Sequence, residues 1–535
     1  MGNQVPEKKY LAVLPIENIS ENPELQAICN GLAEMFSYKL SELEQYQDSY
    51  WVTPASEMRR ERVASVTQAN ELFGVNLAIS SSIQTLQDST RLILELVDAD
   101  NIRRLDTEQV MVSSENLTAL EREGVKAVLR MLQIEINPQM DKSLTEGKTV
   151  NGEAYELYLK GLSALQGNGN GVNLEQAITF FTEAANIDSE FALVYARLGE
   201  AYWRMYETTG NVELVTKAEK VLQKALDIDA QLAPVQTLLG ILKSGTGEQE
   251  EAITHFSQAI EIDPTYNSAY SGMARAFEQQ GNSDKAISTY LRAVNLKPDY
   301  WAGYKDLGVY YLNKGDIPEA ITQFQKVVEL TPKNGTAYSN LGVAYYYNGQ
   351  YVQARQMFER SLALDKDPLT ANNLAGIYYW EGSYREAADM YEIALAGYSD
   401  RYEIWGNLAA AYELSGQHQE ARKTYFMAIE KALAQLEVNA EAPDVVADLG
   451  AYYSDIGDTT QALTYIERAL TLNSDNLRVR QRAVSTYEKL GMREQALGWI
   501  DVTMLSDIES QPELSNLVED PRYLDRKEEL ALPEK

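Results

Sequence analysis

The sequence predicts an α-solenoid of about ten stacked helix pairs, residues 152–508, preceded by a small α/β domain with a mixed sheet, residues 1–137. Three observations point there. From Ala177 onward an alanine recurs at intervals of 33, 34 or 41 residues. Before it, alternating apolar runs broken by turn residues read as strands and show no such period. Between them "PQMDKSLTEGKTVN", residues 138–151, is polar and reads as a linker.

The recurring residues are Ala177, Ala218, Ala252, Ala286, Ala320, Ala354, Ala387, Ala421, Ala462 and Ala496. The longer intervals add seven residues, about two helical turns, so the packing face is kept. Twelve residues before most of them stands another small residue, such as Gly308, Gly342, Ala375 or Ala409. Four residues after them stands a large apolar one, such as Phe324, Phe358 or Tyr391. Small residues let two helices approach closely, and the large residue fills the gap toward the neighbouring pair. Pro264, Pro298 and Pro332 stand where one helix must end before the next begins.

"YKDLGVYY", "AITQF" and Pro332 together resemble the tetratricopeptide repeat, with its W/Y-x-x-L-G-x-x-Y, A-x-x-x-F and P landmarks. The first unit, with "QGNGNG" between its helices, and the last, with Val484 in place of the early glycine, match least. The resemblance implies a right-handed superhelix whose concave face, built from the first helix of each unit, holds proteins or peptides. Residues 509–535 are then expected to cap its open end.

In the first domain "YLAVLPI" is expected as a buried strand, and Leu25 to Leu43 carry a helical apolar stripe. "YWVTP" reads as a short strand and Ala64–Phe73 as a helix. A hairpin turns at "QDST", Leu105–Val112 adds a strand, and Leu117 to Leu132 form a closing helix. "YLAVLPIENISENPE", "NGLAEMFSYKLSEL" and "FGVNLAISSSIQ" resemble the TolB-N-terminal-like domain, with Ile16 and Asn30 departing from its pattern. That resemblance implies the sensory half of a bacterial membrane-anchored Ser/Thr kinase or cyclase, separated from its output domain. It places the chain in the periplasm if Met1 is not the native start; with Met1 as the start the chain is cytoplasmic.

Lys and Arg number 47 against 79 Asp and Glu, a formal charge of −32, which opposes a nucleic-acid partner. Cys29 is the only cysteine, so neither an internal disulfide nor a cysteine zinc site is expected. No stretch approaches the ~20 apolar residues of a membrane span, so no direct membrane insertion is expected. His255 and His418 have no neighbouring ligands in sequence and are expected in core or surface roles. "GNGNG" lacks the following Lys-Ser/Thr of a phosphate cradle and reads as a flexible insertion. No nucleophile elbow or kinase loop is present. The chain is therefore expected to be no enzyme, to need no cofactor or metal, and to bind a protein or extended peptide.

The candidate site lies in "AYSNLGVAYYYNG" and its repeats. With the early Gly or Ala as position eight, position six is Asn340, Asn373 and Asn407 in three successive units. The family resemblance implies that positions two, five, six, nine, twelve and thirteen face the groove. Tyr346 and Tyr379 hold position twelve, Tyr347 and Trp380 position thirteen, while Tyr345 at eleven packs inside. Asparagine can pair with both the C=O and N–H of a peptide backbone, so three in register would form a ladder. Alternatively these asparagines bond the next helix and the tyrosines reinforce packing. Asp306 and Asp448 at position six of flanking units suggest basic residues at the ends of a bound segment.

Overall fold

The computed structural model describes residues 5–20, 22, 25–47, 50–113, 116–144, 149–165 and 171–531. The chain forms two compact units, Met1–Ala337 and Tyr338–Lys535.

The first unit begins with β1 (Lys9–Asn18), α1 (Leu25–Ser41), β2 (Tyr50–Val52), α2 (Ala55–Arg60) and α3 (Val66–Phe73). β3 (Leu77–Leu86), β4 (Ser89–Asp98), β5 (Arg103–Ser113) and α4 (Leu117–Met131) follow. The sheet is mixed, in the order β2-β1-β3-β4-β5. β1 is parallel to β2 and β3, and β3–β4–β5 form an antiparallel meander. The unbroken apolar run of β1 is explained by its central place, because both of its faces are covered. Leu11 and Val13 join Leu32 and Phe36 of α1 and Val125 of α4 in one core. Ala12 and Leu14 face the other way, with Trp51 and Phe73.

Within the expected linker, Pro138–Ser143 is a helix, α5, capped by the Asn137 side chain. Its Met140 is fully buried, and Lys39 donates to the Ser143 carbonyl at 3.1 Å. Residues 145–148 lie outside the described part, as do residues 166–170 of the "GNGNG" insertion.

The pairs then follow: α6 (Gly152–Leu165) with α7 (Gly171–Ile187), α8 (Ala192–Thr209) with α9 (Glu213–Ile228), and α10 (Ala233–Gly245) with α11 (Gln249–Ile262). α12 (Asn267–Gln279) pairs with α13 (Ser283–Leu296), and α14 (Trp301–Lys314) with α15 (Ile317–Leu330). The α/β layer is packed against these helices. A side chain at Gly31 of α1 would collide with the backbone of Leu159 in α6. The Tyr38 ring lies 5.9 Å from the Arg197 guanidinium of α8. Trp51 meets Tyr300 at a tilt and Phe73 stacks on Trp301 at the start of α14, with ring centroids 4.9 and 5.9 Å apart. Buried Glu44 is paired with Lys297, and Asn334 donates to the Leu72 carbonyl at 2.9 Å. Arg197 occupies position six of its unit, so in these first pairs the α/β layer covers the concave positions.

α16 (Gly335–Tyr347) straddles the boundary and pairs with α17 (Tyr351–Leu364). The second unit continues with α18 (Pro368–Trp380), α19 (Tyr384–Leu395), α20 (Tyr402–Leu414) and α21 (His418–Val438). α22 (Pro443–Asp455), α23 (Thr459–Asn473), α24 (Leu477–Lys489) and the short α25 (Arg493–Gly498) complete the pairs. The period has a geometric cause. A Cβ on Gly342 would come within 2.6 Å of the Phe358 ring, so the early glycine makes room for the aromatic of its own pair. Phe358 also clusters with Leu374 and Ile377 of the next pair, so one ring serves both contacts. From α8/α9 onward each pair turns on a residue with positive φ; Gly349, at +71°, supplies it between α16 and α17. After α25, Leu517 and Tyr523 are buried in one cluster with Ile466 and Val484 of the last pairs.

Candidate functional site

In the second unit the first helices of successive pairs present the same columns to one groove, with a volume of about 880 Å3. Column six supplies Asn373, Asn407 and Arg482; column nine supplies Val343, Gly376, Ala410, Ala451 and Ser485. Column twelve supplies Tyr346, Tyr379, Glu413, Ser454 and Glu488, and column thirteen Tyr347, Trp380, Leu414, Asp455 and Lys489. The repeat itself positions them. Because most of these helices are held by the same small-residue contact, equal sequence positions arrive at equal places in space.

Of the seven residues singled out from sequence, the groove brings together Asn373, Asn407, Tyr346, Tyr347, Tyr379 and Trp380. Asn340 is half-buried and stands outside its lining, so two of the three column-six asparagines line the groove. Asn407 is exposed and Asn373 half-buried. Tyr347 is 67% exposed, Trp380 59% and Tyr346 40%, a concentration of solvated aromatic surface uncommon in a folded chain. Tyr346 makes edge contacts with Tyr347 at 5.9 Å and Tyr351 at 5.5 Å, which hold its ring upright. Tyr345 packs with Ala354 and Phe358, as its column predicts.

The expectation of an available acid at Asp448 fails. Asp448 is fully buried, bound by Arg482 at 2.6 Å, Arg478 at 2.5 Å and the Tyr402 hydroxyl at 3.1 Å. Its charge raises the Arg482 pKa further above the ordinary guanidinium range. Asp306, in the first unit, accepts from Ser271 at 2.7 Å.

The far end of the groove is polar. Burial raises the Asp455 carboxyl above its usual range, opposed by Lys489, which is bonded to it. Burial likewise pushes the Tyr379 hydroxyl up, and the Glu513 carboxylate that accepts its hydrogen bond adds to the shift. Glu513 belongs to a turn of the C-terminal segment, where Gln511, Leu514 and Asn516 also line the groove. Sequence reasoning missed that return, since nothing in the repeat encodes where a non-repeated tail will lie. It also missed Glu413, which the column count alone would have found.

Neither histidine resembles a metal ligand. His255 Nδ1 is 2.8 Å from Gln236 and half-buried, and His418 Nδ1 is 3.0 Å from Glu413. No group of three His, Cys, Asp or Glu is placed to hold a metal ion among the described residues. Among those residues no helix is long and apolar enough to cross a membrane.

Family models of the tetratricopeptide repeat match residues 246–281 and 311–349, 336–368, 372–437, and 268–300 with 444–476. The helix pairs between residues 246 and 476 thus match the tetratricopeptide repeat. The chain is 22% identical over 230 residues to "Putative adenylate cyclase 3" of Rhizobium meliloti, covering 42% of this chain and 38% of that protein. It is 32% identical over 107 residues to tetratricopeptide repeat protein 6 of Homo sapiens, 20% of each chain. The chain thus spans well under half the length of these curated relatives. Among solved structures, PilF of Pseudomonas aeruginosa is similar at 18% identity and a TM-score of 0.33, over 46% of this chain and 95% of that one.

Proposed function

We propose that the chain is a non-catalytic scaffold that holds an extended polypeptide segment in the groove of its second unit. One observation carries this reading: six residues chosen by their repeat columns line one groove, with the rings of Tyr346, Tyr347 and Trp380 in solvent. Gly376, Ala410 and Ala451 keep the floor between the columns low, so a backbone can approach. Asn373 and Asn407 then donate to and accept from its peptide groups whatever its side chains are. Tyr346, Tyr347, Tyr379 and Trp380 cover its apolar side chains. The first unit has no comparable role, because its α/β layer already packs on Leu159 and Arg197.

The test uses short random linear peptides selected against the full chain. Selected peptides should lose about tenfold in affinity for the Asn373→Ala/Asn407→Ala variant, a cost of ~1.4 kcal/mol or two modest hydrogen bonds. An unchanged affinity in a double variant with an unchanged melt would refute the ladder.

A second reading, the sensory half of a membrane-anchored kinase or cyclase, is favoured by the likeness to the cyclase-like relative and by the TolB-like sequence pattern of the first domain. A native product much longer than 535 residues, with an apolar span upstream, supports it. A native product of this length counts against it.

A further inference from the structure

We infer that the segment held in this groove is cationic: an extended stretch carrying at least one Lys or Arg beside apolar residues. This rests on the groove reading and adds the charge of the partner. Most charges in the groove are answered within the chain: Arg482 by Asp448, Lys489 by Asp455, and Glu488 by Arg493. Glu413 and Glu513 are different, because neither faces a Lys or Arg among the described residues. Glu413 stands beside the imidazole of His418, and Glu513 accepts from the Tyr379 hydroxyl.

Both carboxylates share the groove with the exposed rings of Tyr347 and Trp380. A cation before an indole or phenol face is attracted by the ring quadrupole, and a carboxylate in reach adds a charge-assisted hydrogen bond. An acidic segment would meet two negative charges that no Lys or Arg answers, and a neutral one would leave them without a Lys or Arg partner. The formal charge of −32 on the whole chain draws the same sign of partner from a distance. The basic residues suggested from position six therefore have a structural counterpart in other side chains. Buried Asp448 is closed to them, while the exposed Glu413 and Glu513 are open.

Peptides from the random linear selection are measured by fluorescence anisotropy, each beside a copy with every Lys and Arg changed to Gln. Basic peptides should dominate the selected pool and outbind their Gln copies. Glu413→Gln and Glu513→Gln should each weaken basic peptides about threefold to fivefold, without affecting the Gln copies. The difference should fade at high salt. Both carboxylates are solvent-exposed, so the variants keep the fold, which a melt verifies. A pool with no excess of Lys or Arg, or equal binding by the Gln copies, overturns the charge assignment and leaves the groove reading standing. Self-association of the chain in place of peptide capture overturns the assignment as well. Failure of every peptide to bind overturns both.

Discussion

Asp448 and Asn407 hold the same repeat position with opposite fates. Asn407 is open to solvent, whereas Asp448 is closed over by Arg478 and Arg482 of the next pair. Replacing Asp448 with Asn removes the carboxylate that both guanidinium groups share, leaving Asp444 and Asp455 as weaker counter-charges. The expected loss is about 2–3 kcal/mol in chemical denaturation, below the ~3–5 of a fully enclosed pair because both arginines reach water. An unchanged midpoint would mean that the arginines relax into solvent at no cost. His255 makes a pH prediction. Burial lowers its pKa from 6.5, so the unfolded chain takes up the proton first as pH falls. Stability should therefore drop as pH falls through about 6.5, and His255→Gln should flatten that part of the profile. A profile identical in the variant would contradict it. At this scale the sequence is legible in identity and blind in orientation. Column six was readable, but the burial of Asp448 follows from Arg482, one unit later, which the same column count would have revealed.

The helix pair is the element in which sequence and structure agree most closely, because a period of 34 repeats one packing solution and each copy confirms the others. Ala320 is fully buried in α15. Ala320→Leu should overpack that contact and lower stability by about 1–3 kcal/mol, with damage confined to neighbouring pairs. A melting curve that does not move would argue against the register. In the α/β layer the strands were legible from alternation, and β1 from its doubly covered run. The helices α2 and α5 were missed. Each has six residues, too few for a helical period to show, and α5 is helical through its Asn137 cap and buried Met140.

For each unit as a whole, the repeat predicted a concave face, and the α/β layer decides how much of it is open in the first unit. The covering of Arg197 by Tyr38 was not legible, because contacts between a non-repeated layer and an array leave no period. Trypsin is expected to cut first at exposed Lys142 or at Lys148, which lies outside the described residues. The nicked pieces should nevertheless co-elute on size exclusion, since Gly31 packs on Leu159 and Trp51 on Tyr300. Separation of the pieces would show that the layer is held by its tether alone. In the second unit the groove remains, and its aromatic wall is the feature on which the account turns. The most direct measurement is the affinity of a selected peptide for Tyr347→Ala/Trp380→Ala, beside a control at Val352, which is exposed but outside the groove. The account predicts a loss of tenfold or more for the double variant, as expected for aromatic anchors, and none for Val352→Ala. Equal binding by all three proteins would contradict it.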